Sequence, residues 1–386
     1  MRVTRSLVAL TSLVAVTALT AACAGSTGGS AAGGAKPAEF AIDLVFDQTG
    51  VNQTFSPSVK QGWDLRIEEA NAAGEVSGTT LSTTVHDTRS DPKVAAGLMA
   101  EVAASDAPMA VFGTSSGVAP AVAPVAQRAG LPLVTMYSGS PGVVDAGDHV
   151  FRVTAPQATY HHLQSEYFAS QGVKRVAMVY NNDNATLKNL AETFYPEAAK
   201  KDGYEIVQSS GVSVKAPDLS AEMTGVLAAK PDAVLMLVLG QQNTSIVTQL
   251  RRAGFTGVIG AQPGIGSQAL TALGAEADGV VYPIDFSSAT VSESGKKFAD
   301  AYKAKYGTAP DTFAAAGYDG ASMTVDALAA TPEFTREALQ ATLLDLSTKG
   351  FDGAAGAVRF ENRDARVDGV MVRWQGGQET LLNPTS

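Results

Sequence analysis

Short apolar runs alternate with stretches of helical spacing along most of this chain. Runs at 40–46, 80–86, 109–112 and 131–136 are predicted strands. Between them, Val59, Trp63 and Ile67, then Val94, Leu98 and Val102, then Val118, Val122 and Val125 recur at the three- to four-residue spacing of helices. Strand and helix in turn is the mark of a doubly wound α/β unit. A second series follows, with strands at 176–180, 204–208, 233–238, 257–260 and 279–282 and helices near 160–170, 186–201, 218–228 and 242–253. Helices near 293–306, 312–330 and 334–346 come next, then a short strand pair at 357–360 and 370–374. The fold class expected is therefore α/β, with two doubly wound, Rossmann-like lobes.

The first 38 residues follow neither pattern. Arg2 and Arg5, an apolar stretch from Leu7 to Leu19 and the small residues Thr20, Ala21 and Ala22 make the three zones of a secretory leader, so residues 1–22 are read as a signal peptide. The stretch is shorter than the roughly 20 apolar residues a membrane span needs. Leu19-Thr20-Ala21-Ala22-Cys23 resembles a bacterial lipobox, with Leu19 four places before the cysteine where three is usual. Lipidation is thus expected on Cys23, the only cysteine. Residues 23–38 are almost all Ala, Gly and Ser after Cys23, too poor in apolar surface to order themselves, and read as a tether to a lipid anchor. The globular part is expected to begin near Glu39.

About 348 residues remain, more than one core usually holds, which again points to two lobes. The charge is acidic: 28 Lys+Arg against 38 Asp+Glu gives −10, and about −12 once Arg2 and Arg5 are removed. Such a balance argues against nucleic acid and anionic lipid surfaces as partners. Open parallel sheets bind ligands at the carboxyl ends of their strands, so a cleft between the lobes is the expected site.

The strand-end segments carry a resemblance. They are Asp47-Gln48-Thr49-Gly50 with Phe55, then Asn71-Ala72-Ala73-Gly74, Asp87 and Asp91-Pro92, Gly113-Thr114-Ser115-Ser116-Gly117, and Tyr137-Ser138-Gly139-Ser140-Pro141. In order and spacing they resemble the type I periplasmic binding proteins of the leucine/isoleucine/valine-binding family, which serve ABC importers. The resemblance runs from about Phe40 to Trp374. It implies two lobes joined by three hinge crossings, near 151–156, 282–285 and 362–368. Lobe 1 would take residues 39–155 and 284–365, and lobe 2 residues 156–283 and 366–386.

The resemblance also implies site residues. Ser115 and Ser116 match a loop that offers hydroxyl and N–H groups to a ligand carboxylate at a helix start; capping that helix is the other reading. Tyr137, Ser138 and Gly139 match a segment completing those contacts, with Tyr137 either narrowing the cleft or packed beneath its loop. Phe55 and Phe313 match aromatic cleft walls or else core. In lobe 2, Gln262 stands where amino-acid binders of the family place an acid for the ligand ammonium, and a neutral amide supplies no charge. Asp183 and Asp285 are the other acids within reach of that role. The ligand is therefore expected to be a branched-chain amino acid or a related small carboxylate or amide.

Other chemistries fit less well. Gly113-Thr114-Ser115-Ser116-Gly117 matches G-x-S-x-G between a strand and a helix, but a hydrolase needs a later histidine, and after Ser115 only His149, His161 and His162 occur. Metal-ligand spacing and a phosphate-binding lysine loop are both missing, so neither an enzyme nor a cofactor nor a metal is expected. The partners implied are a small solute and membrane permease subunits, with a ligand sensor of the same fold as the alternative. The protein is expected as a monomer at the outer face of the cell membrane.

Overall fold

The computed structural model describes residues 36–53, 55–113, 116–289 and 292–382. Cys23, the leader and Ser115 lie outside the described residues. The strands are β1 (Glu39–Phe46), β2 (Thr80–Asp87), β3 (Ala110–Gly113), β4 (Leu133–Met136), β5 (Val150–Arg152), β6 (Arg175–Asn181), β7 (Glu205–Val212), β8 (Ala233–Leu237), β9 (Val258–Ala261), β10 (Val280–Ile284), β11 (Phe351–Gly353), β12 (Gly356–Glu361), β13 (Asp364–Arg366), β14 (Val370–Gln375) and β15 (Gln378–Leu382).

They form two sheets. The first runs β11-β12-β13-β5-β4-β3-β1-β2 and the second β15-β14-β10-β9-β8-β6-β7. Parallel pairing joins β2, β1, β3, β4, β5 and β13 in one, and β7, β6, β8, β9 and β10 in the other. Every residue of β3, β4 and β8 is buried, as strands covered on both faces by helices must be. Two lobes of similar construction result, as the two alternating series predict.

Several local expectations are corrected. Segments 357–360 and 370–374 are not a pair: β12 lies between β11 and β13 in the first sheet, whereas β14 lies between β10 and β15 in the second. β10 continues through Ile284 and β13 through Arg366, so the lobe boundaries expected at 283/284 and 365/366 fall inside strands. The chain leaves one sheet for the other after Arg152, Ile284 and Arg366. The helix Pro92–Ala104 buries Ala95, Met99 and Val102, half-buries Leu98 and leaves Val94 exposed, so of the three residues expected inward only Val102 is fully buried. Folded contacts also begin before Glu39, since Lys36 Nζ donates to the carbonyls of Leu328 and Ala329 at 2.7 and 2.8 Å.

The tightest contact in the first lobe joins the helices Ser56–Ala73 and Thr312–Ala330. A Cβ on Gly62 would lie 1.9 Å from the Ala314 carbonyl oxygen, and one on Gly317 1.9 Å from that of Val59. Backbone touches backbone, so no side chain can yield. Trp63, next in line, is fully buried and donates its indole N–H to Thr83 Oγ1 at 2.9 Å. Gly317→Ala is expected to force the helices apart and cost about 2–3 kcal/mol. Urea unfolding tests this: the midpoint should fall with an unchanged slope, and an unmoved midpoint would show that the crossing is not rigid.

Candidate functional site

The loop that follows β4 is held in an unusual shape. Tyr137 has φ +47°, a left-handed conformation that costs a bulky residue energy. Its N–H donates to Thr154 Oγ1 at 2.6 Å, on the passage out of β5. Beneath the loop lies Arg152, 2% exposed, whose Nε and Nη2 donate to both Asp364 oxygens at 2.6 and 2.7 Å. Its Nη1 donates to the carbonyls of Ser138 and Ser140. One guanidinium thus fixes the loop from below while its charge is neutralised by Asp364.

Ser116 reaches the same loop from β3. Its hydroxyl accepts the Gly139 N–H at 2.9 Å, and its carbonyl accepts the Ser140 hydroxyl. The capping reading fails for Ser116, because the helix Ala119–Arg128 begins at Val118 with no side-chain cap. Ser116 instead staples two strand-end loops together and keeps its own O–H proton for a further acceptor. At the start of that helix Pro120 has no N–H and the Ala121 N–H donates to the Val118 carbonyl at 2.9 Å.

Tyr137 turns its ring into an aromatic cluster. Phe55 and Phe313 stack with centroids 4.8 Å apart and planes 12° apart, and Tyr137 sits 5.5 Å from the first and 4.9 Å from the second. Phe313 is buried, whereas Phe55 and Tyr137 are half-buried. Burial, with Asp285 and Asp311 nearby, raises the Tyr137 phenol well above its usual pKa, so it stays a neutral hydroxyl.

The second lobe meets this wall at two bare positions. A Cβ on Gly139 would be 3.3 Å from Thr186 Cγ2 and 3.7 Å from Gln157 Cγ, and one on Gly266 would be 3.6 Å from the Phe313 ring. Ser138 Oγ, Thr186 Oγ1 and Gln157 Oε1 are buried without a hydrogen-bond partner. Unpaired buried polar atoms are costly, and three of them within or beside one contact between lobes suit a bound polar solute. Beside Gly139, a groove of about 230 Å³ opens between Asp145, Arg152 and Asp364 on one side and Thr186 and Asn189 on the other.

Gln262 does not join this set. It is 1% exposed, its amide nitrogen donates to the Val238 carbonyl at 2.8 Å, and its oxygen accepts the Gly264 N–H at 2.7 Å. The expected ligand contact is corrected to a cap that shapes its own loop. Asp183 is likewise spent on Ser213 Oγ and the Val214 N–H. Asp285 accepts the Thr312 hydroxyl. His149 faces Asp148, His162 the Thr159 carbonyl, and buried His161 the Tyr195 hydroxyl, burial lowering its pKa to about 3. Among the described residues no group of three or more His, Cys, Asp or Glu is placed to hold a metal.

Sequence reasoning named Ser116, Tyr137, Ser138, Gly139, Phe55 and Phe313, and the structure gathers all six. It missed Arg152, Thr154, Gln157 and Thr186, which carry no local signal beyond their place at or after the ends of strands. It also missed the interior of the crossings. There Asp285 and Asp319 line a cavity of about 10 Å³, room for about one water, with Val153, Thr154, Ala155 and Val367. Burial, aided by the Asp285 charge, raises the Asp319 carboxyl to about 7, against the N–H groups of Ala354 and Ala355 that it accepts.

The sequence profile of the periplasmic binding protein family matches residues 41–378. The chain is 24% identical over 377 residues to Leu/Ile/Val-binding protein homolog 7 of Brucella suis, covering 91% of this chain and 93% of that one. Its fold matches LivJ of Streptococcus pneumoniae, a branched-chain amino acid transporter substrate binding protein solved with isoleucine, at TM-score 0.79 and 23% identity over 89% of this chain and 99% of that one. It matches a Rhodopseudomonas palustris ABC transporter solute binding protein, solved with benzoate, at TM-score 0.79 and 18% identity over 89% and 95%.

The folded Asp319 carboxyl holds its proton to about pH 7, whereas its ordinary pKa is 3.8. Raising the pH from about 4 to 7 therefore withdraws stability, and above 7 no more is lost. Asp319→Asn should remove this slope, so that variant minus parent stability rises by up to about 1.4 kcal/mol per pH unit in that window and then levels. Parallel unfolding curves at pH 4 to 9 check it; a constant difference would place the carboxyl's titration elsewhere.

Proposed function

We propose, from the premise that this chain belongs to the periplasmic binding protein family, that it captures a small polar solute between its two lobes and delivers it to the permease subunits of an ABC importer. The observation that carries this reading is the meeting of Ser138, Thr186 and Gln157, buried and unpartnered, where lobe 1 touches lobe 2. A solute bridging them would favour the closed arrangement by its differential affinity for it. Ser116, and with it the sequence-expected Ser115, would receive an anionic or carbonyl end of the solute. The half-buried faces of Phe55 and Tyr137 would cover its apolar part.

The solute is a small carboxylate or amide, the class to which branched-chain amino acids belong. LivJ, with its bound isoleucine, and the benzoate complex both support a small carboxylate. We assign Cys23 as the lipidated anchor that holds a monomeric binder at the outer face of the membrane, with no enzymatic step. Cys23→Ser should move the protein from the membrane to the soluble extracellular fraction; unchanged membrane association would remove the anchor.

A thermal-shift screen of the purified protein against amino acids, keto and hydroxy acids, aromatic acids, amides and sugars tests the main reading. At least one small acid or amide should raise the melting midpoint in a saturable way, as mass action requires. Silence across the panel would overturn solute capture.

A further inference from the structure

All three passages between the sheets meet around one small cavity. Val153, Thr154 and Ala155 come directly after β5, Asp285 directly after β10 and Val367 directly after β13, and each of them lines it. The helix Thr312–Ala330 closes the space with Asp319. A volume of about 10 Å³ leaves room for about one water. In this arrangement the lobes touch, Gly139 against Thr186 and Gly266 against Phe313. The residues around the cavity are therefore those whose backbone must turn when two lobes joined by three passages swing apart.

Two carboxyls face this space, and no basic side chain lines it. Asp285 accepts the Thr312 hydroxyl at the start of the helix, a place that suits a negative charge. Asp319 lies further along the same helix and accepts the N–H groups of Ala354 and Ala355. Among the described residues neither carboxyl forms an ion pair; the basic groups flanking Val367 are spent elsewhere, Arg366 on Glu361 and Asp364, and Arg359 on Asp368. The remaining ionisable neighbours are phenols and an acid. Tyr137 and Tyr160 lie in the field of Asp285, Tyr318 in that of Asp319, and Asp311 stands with Asp285 beside Tyr137.

Two like charges facing one water-sized space cannot both ionise without a large cost. One proton is accordingly held on the pair, chiefly on Asp319, whose carboxyl is pushed up to about 7 by burial and by the Asp285 charge. A second negative charge calls for more water than the cavity admits. The space widens only if the passages that line it spread.

We propose that Asp285 and Asp319 form a proton-sensitive latch in the joint between the lobes. Holding one proton, the pair keeps the passages drawn in and the lobes touching; losing it, the pair drives the passages apart and the cleft open. In the spread arrangement water returns Asp319 toward its ordinary pKa of 3.8, so closing takes up a proton. The touching arrangement therefore loses ground as the pH rises to about 7, and above that no more is lost. The latch works with the cleft empty and stands apart from which solute binds.

Spin labels on the two lobes test it. Lys200→Cys in the second lobe and Asp345→Cys in the first use exposed positions, and Cys23→Ser removes the only other thiol. Interlobe distances are read by double electron–electron resonance from pH 4 to 9 with no solute added. The short-distance population is expected to fall at least about threefold between pH 5 and pH 8. Asp319→Asn should hold that population constant across the range. Asp285→Asn, by removing the like charge, should lower the midpoint of the change by at least about half a pH unit. A purely structural role for either residue would lower the melting midpoint and leave the pH response in place. Distances that do not move with pH in the parent overturn the latch. A response that survives in Asp319→Asn, or that keeps its midpoint in Asp285→Asn, does the same. Should Asp319→Asn fail to fold, Asp285→Asn decides alone.

Discussion

Two helices of the first lobe pass so close at Gly62 and Gly317 that each backbone touches the other's carbonyl oxygen. Much of the site depends on that contact. Phe55 stands at the entrance of one helix, and Phe313 is the second residue of the other. Their stacking at 4.8 Å is set by how near the helix axes lie, and Tyr137 then has a fixed surface against which to turn. Further along the second helix, Asp319 reaches the backbone of Ala354 and Ala355 and the interior of the crossings. A crossing made through side chains would yield under load; one made through backbone transmits position with little give.

The buried Arg152–Asp364 pair does a related job for the loop after β4. Taking both charges out of water costs several kcal/mol, and a buried pair is weak evidence for stability. What the pair supplies is direction: the guanidinium's spare N–H groups hold the carbonyls of Ser138 and Ser140, and the left-handed Tyr137 is pinned from the other side by Thr154. Arg152 and Asp364 come from β5 and β13, the strands that border two of the passages between sheets. The loop that faces the second lobe is thereby tied to the region through which the lobes are joined.

Two pieces of the site show where local reading stops. Gln262 has the sequence position of a ligand contact, at the end of a strand, yet its amide is spent within its own turn and on Val238. A glutamine long enough to reach the cleft is also long enough to fold back, and only the packing around it decides which. Thr186 is the opposite case. Nothing in Asn184-Ala185-Thr186 distinguishes it from any helix start, but the bare Gly139 of the other lobe lies against it.

The sequence by itself determined the two α/β series, the strand ends at which a ligand would lie and the aromatic and hydroxyl residues grouped there. Period-two and period-3.6 patterns and turn residues are local properties, written within a few neighbours of each residue. It also carries the leader-like pattern of residues 1–22 and a lone Cys23, whose signals are compositional. Only the tertiary structure decided which strand ends meet, that Ser116 staples rather than caps, that Gln262 faces inward, and that Asp285 and Asp319 share one cavity. The reason is distance along the chain: Arg152 and Asp364 are 212 residues apart, and nothing within reach of either announces the other. Such pairings are chosen by backbone contact and packing, with Gly62 and Gly317 setting how closely the helices that bring Phe55 and Phe313 together can approach.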